Sequence, residues 1–320
     1  MTDLARDETW HEWRSGGLGA SDVAPLVGLS SWSSPYSVWA AKVGLIAPSP
    51  TSDRQAIGHA MEGVLAQLFT ERTGLHVAGE QSWCEHPELS WPRCTVDGFV
   101  YASPADSNAV DPFNRLALGG FEAKTDGRFG WPDGIPPAYQ CQAQWSMWVT
   151  GLQRWWVGVM FAGFRFEVFE IARDDLDVAL LVKAATAFWH DHVVTGVPPA
   201  IDASDATRDA LATVYPDHVP GVTVGLDGIV EQLVRRSELK GLLKGAEVEL
   251  DRIENEIRAV LGDAEVGTVA GVPALTYRTA ERRDIKAAAV REAAPWLAAQ
   301  LETITRYRVL RTVAPKKEKP

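Results

Sequence analysis

Glu122 and Lys124 stand two positions apart in "GGFEAKTDG" (119–127), a stretch whose other residues suit a buried strand. In an extended chain, positions i and i+2 point to one side. An acid and a base therefore share one face, while Phe121 and Ala123 take the other. An isolated pair of this kind is explained by a surface salt bridge, which contributes little. Two more carboxylates give it another meaning. Asp97 lies just before Gly98 in the strand-like "RCTVDGFVY" (93–101), where hairpin pairing would bring it beside Glu122. Glu62 sits at the edge of an apolar helical stripe preceding both. Three carboxylates meeting without a counter-ion raise one another's pKa. A hard divalent cation removes that cost, since Mg²⁺ prefers carboxylate oxygen and water. Asp97 and Glu122 are therefore read as metal ligands, with the Ala123 carbonyl as a third oxygen. Glu62 would hold a second ion, directly or through water. Two Mg²⁺ are expected, with Mn²⁺ as the alternative. Lys124 would orient or activate the attacking water and stabilise developing charge. Together these groups suit in-line hydrolysis of a phosphodiester.

The elements that must position these groups can be read from periodicity and punctuation. Ser21 and Asp22 are expected to cap a short helix running to Val27, with Gly28 as its stop. "SPYSVWAAKVGL" (34–45) repeats that plan, and a Pro/Ser loop (47–53) follows. Residues 54–74 read as an amphipathic helix with Met61, Val64, Leu65, Leu68 and Phe69 as its stripe and Gly74 as its end. Strands are expected at 93–101 and 116–125, joined by a polar loop. A helix is expected over 136–151, a hairpin of "RWWVGVMFAG" and "FRFEVFEIAR" turning at Gly163, and a long helix over 176–196. This order predicts an α/β (α+β) fold, with a mixed central sheet flanked by helices. Residues 1–200 form the main domain in this reading. Residues 201–225, within a stretch rich in Pro, Asp and Gly, are a linker. Residues 226–320 form a smaller accessory region with a long helix, a hairpin around Ala270–Gly271 and a basic end. In that helix Ile229, Leu239, Leu243, Ala246, Leu250, Ile253, Ile257 and Val260 follow a heptad-like spacing, with Gln232 and Arg236 filling the pattern. Gly241 and Gly245 weaken it as a free helix. It is expected to pack on its own domain rather than in an intermolecular coiled coil.

Composition narrows the class. The 320 residues are 46% hydrophobic and 23% charged, as in soluble globular proteins. No apolar run is long enough to span a bilayer, so no membrane association is expected. The polar, acidic start is unlike a secretory signal. Three cysteines without a CxxC pair argue against zinc, an iron–sulfur cluster and a disulfide framework, and favour a reducing cytoplasm. A net charge of −11 speaks against nucleic acid at first. Yet residues 278–320 carry 11 basic and 5 acidic side chains. Lys316, Lys317 and Lys319 read as a solvated tail. The arginines interleaved with Tyr277, Tyr307 and Val309 are equally consistent with a contact surface.

An Asp followed by Glu-x-Lys on the next strand, with a helical Glu before them, resembles the PD-(D/E)xK nuclease superfamily. "RSGGLGASDVAPLVGLSSWSSPYSVWAAKVG", "GHAMEGVLAQLFTERTG", "TVDGF", "FEAKT" and "PPAYQCQAQWSMWVTG" follow the order of the phage lambda exonuclease and YqaJ viral recombinase family. The resemblance covers roughly residues 8–198. Val96 stands where the family has a Pro before the metal Asp, and the loop between Asp97 and Glu122 is long. The resemblance implies a restriction-endonuclease-like fold and 5′-to-3′ exonuclease action on double-stranded DNA ends. The resulting 3′ tails would serve a phage single-strand annealing protein. It also implies a trimeric ring threaded by DNA. By the same likeness, Glu62, Asp97, Glu122 and the Ala123 carbonyl bind two metals, Lys124 is the catalytic lysine, and Arg14, Ser21, Thr95 and Gln142 hold the 5′-terminal phosphate. Without the family, Arg14 is better explained by surface pairing with Glu12 or Asp22 than by phosphate binding, and Ser21 by capping, with or without the phosphate role. His59 reads as a helix-surface residue, Tyr139 as packing, and Trp10, Trp13, Trp32 and Trp39 as core, with one near Arg14 available as a wedge. A restriction-type endonuclease, a Cas4-like nuclease of the iron–sulfur type, which the lack of a four-cysteine set disfavours, and a non-catalytic DNA-binding or assembly module are the alternatives on this fold.

Overall fold

The computed structural model describes residues 8–47, 52–107 and 116–313. The start of the chain, parts of the loops at 47–53 and 102–115, and Lys316, Lys317 and Lys319 lie outside them. The chain forms two compact units, Met1–Pro216 and Asp217–Pro320.

In the first unit the helices are α1 (Glu8–Ser15), α2 (Ala20–Leu26), α3 (Pro35–Lys42), α4 (Asp53–Thr73), the single turn α5 (Pro104–Ser107), α6 (Pro137–Thr150), α7 (Asp175–Phe188) and α8 (Asp205–Val214). The strands are β1 (His76–Ala78), β2 (Ser82–Glu85), β3 (Arg93–Val96), β4 (Gly98–Tyr101), β5 (Gly119–Asp126), β6 (Arg154–Phe161) and β7 (Arg165–Ala172). A five-stranded mixed sheet runs β1-β4-β5-β6-β7, and β2 pairs with β3 in a separate ribbon. Within the five-stranded sheet the β5–β6 pair is parallel and the other pairs are antiparallel. Parallel neighbours need a crossover, and α6 supplies it. The expected central sheet with flanking helices is therefore present.

Both faces of the sheet are covered. On one, α4 lays Leu65 and Phe69 against Val100, Phe121, Trp156 and Phe166. The Phe69 and Phe121 rings are 5.1 Å apart. On the other, the larger core joins Trp145 and Met147 of α6 to Val23, Trp155, Val157, Val159 and Leu181. The alternation of β5 follows: Phe121 and Ala123 pack towards α4, while Glu122 and Lys124 take the α6 side. α4 begins where Ser52 Oγ accepts the Gln55 N–H, and ends at Gly74, which is left-handed at φ 74°. Met61, Leu65, Leu68 and Phe69 form its packed stripe, but Val64 is exposed.

Residues 93–101, expected as one strand, are two. β3 joins the ribbon and β4 the central sheet, and the chain changes sheets at Asp97. Gly98 permits the change: a Cβ there would lie 2.5 Å from Val77 Cγ1 on β1. The β6–β7 hairpin turns as expected, with Ala162 and Gly163 left-handed at φ 49° and 82°. The stretch expected to be a linker holds α8, started by Ser204 Oγ accepting the Thr207 N–H. Its Ala210 is buried and Thr207 donates to Ser34 Oγ at 2.7 Å. It belongs to the first unit because its few apolar side chains find that core, despite Pro- and Asp-rich flanks.

The second unit contains α9 (Val230–Leu261), the hairpin β8 (Val266–Val269) and β9 (Val272–Thr276), and two short helices, α10 (Ala287–Ala293) and α11 (Pro295–Leu301). The hairpin turns at Ala270 and Gly271, both left-handed. No residue of α9 is buried. The expectation that its heptad face packs on its own domain is thus corrected: the unit is too small to cover a 32-residue helix.

Candidate metal and phosphate site

One open cleft of about 580 Å³ is lined by every residue that the sequence assigned to the metal and phosphate groups. Glu62 comes from α4, Asp97 from the β3–β4 switch, and Glu122, Ala123 and Lys124 from β5. Arg14 comes from α1, Ser21 from α2, Thr95 from β3 and Gln142 from α6. Pairing of Gly98 with Phe121 in the β4–β5 ladder sets Asp97 beside Glu122, as the hairpin argument requires.

At the acidic end, Asp97 Oδ2 accepts the Ala123 N–H at 2.9 Å. Glu122 Oε1 accepts from Lys124 Nζ at 2.5 Å and from Gln142 Nε2 at 2.6 Å. Gln81 Nε2 donates to Glu62 Oε2 at 2.6 Å and to Asp97 Oδ1 at 3.3 Å. His59 Nδ1 lies 2.7 Å from Glu62 Oε1. The Lys124 ammonium stands over the Tyr139 ring, 5.1 Å from its centroid.

These contacts set the electrostatics. Asp97 is hemmed in by protein atoms, and that burial pushes its pKa well above the carboxylate range. The Glu122 and Glu62 charges push the same way, against Lys124 and the Ala123 N–H. Burial by itself lowers the Lys124 pKa, but the Glu122 and Asp97 charges more than restore it. The ammonium is therefore held protonated as a fixed cation.

Among the described residues, no three His, Cys, Asp or Glu side chains are gathered into a ready metal cage. Gln81, Lys124 and Gln142 instead occupy the carboxylate oxygens. The donor set nonetheless fits a hard divalent cation. Three carboxylates converge against one lysine, and the ionised form of Asp97 lacks compensation that such a cation would supply. Asp97, Glu122 and Glu62 would hold it, with the Ala123 carbonyl on the same strand.

At the other end, Arg14 Nη2 donates to Ser21 Oγ at 2.8 Å and to Asp22 Oδ1 at 2.9 Å. Asp22 is buried and also receives the Gly19 N–H and Lys42 Nζ, both at 2.8 Å. Lys42 donates in turn to the Arg14 carbonyl at 3.0 Å. Trp10 lies under the Arg14 guanidinium and donates to Thr95 Oγ1 at 3.4 Å. Burial alone would raise the Asp22 carboxyl, but Arg14 and Lys42 overcome it and hold the pKa at about 2. Burial draws the Lys42 ammonium below the lysine range, with Asp22 pulling it back.

Several sequence expectations are corrected. Gly19, not Ser21 or Asp22, is the N-cap of α2, and Asp22 closes back on its N–H. Ser21 sits in the first turn, free of capping and turned to Arg14. Of the two partners that the sequence offered Arg14, it is Asp22 that pairs with it, as one of the readings had it. Gln142 bonds Glu122 rather than the Arg14 group. Its neighbours face elsewhere: Gln140 donates to the Ile135 carbonyl and Gln144 to that of Ala172. His59 turns into the cleft. Trp10 and Trp39 are core, but Trp32 is 62% exposed at the cleft rim and Trp13 stacks on Trp83. Sequence reasoning missed Gln81, Lys42 and Asp22's central place. The only sequence signal for Gln81 was the polar "GEQS" turn, where Gln81 is left-handed at φ 54°.

Residues 9–153 match the model of the YqaJ-like viral recombinase domain. That stretch carries every residue of the cleft named above. The chain is 27% identical over 276 residues to the protein YqaJ of Bacillus subtilis (strain 168), covering 84% of this chain and 82% of that one. Among solved structures it is similar to an alkaline exonuclease from Laribacter hongkongensis, with a TM-score of 0.46, 19% identity, and coverage of 60% of this chain and 94% of that one. It is also similar to a phage related exonuclease from Haemophilus somnus 129PT, with a TM-score of 0.42, 12% identity, and coverage of 56% and 96%. No helix among the described residues is long and apolar enough to cross a membrane.

Proposed function

We propose that the protein is a divalent-metal-dependent nuclease that hydrolyses one strand of double-stranded DNA from its 5′ end. The observation that carries the proposal is the pairing, within one cleft, of Glu62, Asp97, Glu122 and Lys124 with an arginine–hydroxyl group at Arg14 and Ser21. The match of residues 9–153 to the YqaJ-like viral recombinase domain supports it, and the description of that domain as a viral recombinase supports a role in making 3′ tails for an annealing protein. A trimeric ring around DNA belongs to the same reading.

Bound Mg²⁺, or Mn²⁺ in its place, would supply charge neutralisation at the scissile phosphate and a more acidic water. The chain's own groups do the rest. Arg14 offers a planar fork to a terminal phosphate, with the Ser21 and Thr95 hydroxyls beside it. Asp22 and Lys42 hold that fork in place. Lys124, kept cationic by Glu122 and Asp97, orients the attacking water and balances charge on the phosphorus. Gln142 ties the Glu122 carboxylate to α6.

The test is release of mononucleotides from linear duplex in Mg²⁺, with and without chelator, on 5′-phosphorylated and 5′-hydroxyl ends. Closed circular duplex is the control. Chelator-sensitive release that prefers the phosphorylated end and spares the circle is expected. Cutting of the circle would assign an endonuclease instead, and no release on any substrate would leave only a binding module.

A further inference from the structure

The longest helix of the second unit, α9, keeps an exposed apolar seam: Leu243 is 64% exposed, Leu250 55% and Val260 88%. A bare helix of this kind gains little from its own propensity, and Gly241 and Gly245 lower it further. Something must cover the seam, and the charges along it say what.

With Leu243 at heptad position a, the a positions are Ile229, Arg236, Leu243, Leu250 and Ile257. The d positions are Gln232, Leu239, Ala246, Ile253 and Val260. The flanking e positions are Leu233, Lys240, Glu247 and Glu254, and the g positions are Arg235, Leu242, Glu249 and Glu256. The basic flankers all lie in the first half of the helix and the acidic ones in the second. Two copies laid parallel would set Arg235 against Lys240 and Glu249 against Glu254, like against like. Two copies laid antiparallel about the helix midpoint put Leu239 opposite Leu250 and Leu243 opposite Ala246. The same register puts Lys240 opposite Glu247 and Arg235 opposite Glu256, each twice by symmetry. Flanking charges of this kind choose orientation and partner.

From this complementarity we infer that α9 is the interface through which the chain pairs, antiparallel, with a second copy of itself. The overlap uses the whole helix, about 48 Å at 1.5 Å per residue. The contacts that α9 makes at the flanking positions are exposed ones. Arg235 and Glu256 now pair within the helix with Glu238 and Arg252, but exposed pairs exchange at little cost. Among the described residues Lys240 and Glu247 have no ion pair. Arg236, at an a position, donates to the Leu310 carbonyl and the Thr312 hydroxyl, so pairing of the first half of the seam requires that exposed contact to give way.

Full-length Leu239→Cys and Leu250→Cys proteins, mixed and gently oxidised, test the register. The mixture is expected to give a disulfide-linked species near twice the 34.9 kDa chain mass, and each variant alone only the wild-type background. Equal cross-linking of Leu239→Cys alone would mean a parallel seam, and a mixture no better than its parts would mean no seam; either overturns the inference. A second measurement uses charge. Arg235→Glu with Lys240→Glu should halve the assembled mass in light scattering, and adding Glu247→Lys with Glu256→Arg should restore it. No fall, or a fall not restored, counts against it. Wild type is the reference throughout, so any assembly made by residues 1–216 cancels, and the result stands apart from the nuclease reading.

Discussion

The Gln81 side-chain amide donates to Glu62 Oε2 at 2.6 Å. The same nitrogen reaches Asp97 Oδ1, so one neutral donor spans two carboxylates that come from different elements. A cation entering between those carboxylates must displace it. Gln81→Ala removes a charge-assisted hydrogen bond from the metal-free state, a contribution of about 1.5–3 kcal/mol. Mn²⁺ binding measured by calorimetry without DNA is expected to tighten by about tenfold or more. Weaker binding in the variant would make Gln81 a support of the site and not a plug.

Lys124→Ala should reduce hydrolysis by about 100- to 1000-fold, the usual effect of losing one preorganised donor at developing charge. Binding to 5′-phosphorylated duplex in Ca²⁺ should remain near wild type, because Arg14 and Ser21 lie at the other end of the cleft. A parallel loss of binding in a mobility-shift assay would place Lys124 in the grip on DNA instead.

Arg14→Ala should abolish the preference for 5′-phosphorylated over 5′-hydroxyl ends, by slowing only the former. Ser21→Ala, which removes one hydroxyl and leaves the guanidinium on Asp22, should reduce the preference without erasing it. Single-turnover rates on the two ends give both ratios. A wild-type protein indifferent to the end phosphate would rule out this role for both residues.

How much of this was legible beforehand depended on range. The parity of β5, which sets Glu122 and Lys124 on one side and Phe121 on the other, follows from a period of two and needs no tertiary information. The left-handed Gly74 end of α4 and the Gly163 turn are equally local. What the sequence concealed was the switch of sheets at Asp97. Arg93–Val96 and Gly98–Tyr101 are both good strands, and only the pairing of each shows that they belong to different sheets. β1 and β2 are three and four residues long, too short for a periodic signal. Lys42 and Gln81 were hidden for another reason: each earns its role from a partner far away in the chain.

Asp22 links the Arg14 end of the cleft to stability. Its folded-state pKa is held at about 2, below the ordinary 3.8. The stabilisation is therefore complete above about pH 4 and is lost as pH falls through about 2. Asp22→Asn leaves the Lys42 amine, whose side chain is only 6% exposed, without its counter-charge. Breaking a buried pair in this way costs about 3–5 kcal/mol. Urea unfolding should show that loss at pH 7, and the difference between variant and wild type should shrink between pH 4 and pH 2. A constant difference across that range would mean that the carboxylate charge is not what stabilises the fold.

Gly120 tests how tightly the strand bearing Glu122 and Lys124 is seated. It lies opposite Trp155 in the parallel β5–β6 pair, and a Cβ there would stand 2.2 Å from the indole ring. Trp155 is 1% exposed and belongs to the larger core, so the ring has little room to swing away and β5 must shift. Overpacking of this kind costs about 1–3 kcal/mol. Gly120→Ala should lower the urea midpoint accordingly. It should also lower the hydrolytic rate at temperatures where the protein is still folded, because the shift carries Glu122 and Lys124 with it. Gly127→Ala, at the residue directly after the strand, is the control. Nothing lies within 4 Å of its added methyl, and both stability and rate should stay at wild-type values. Equal behaviour of the two variants would show that the Trp155 contact does not set the position of β5.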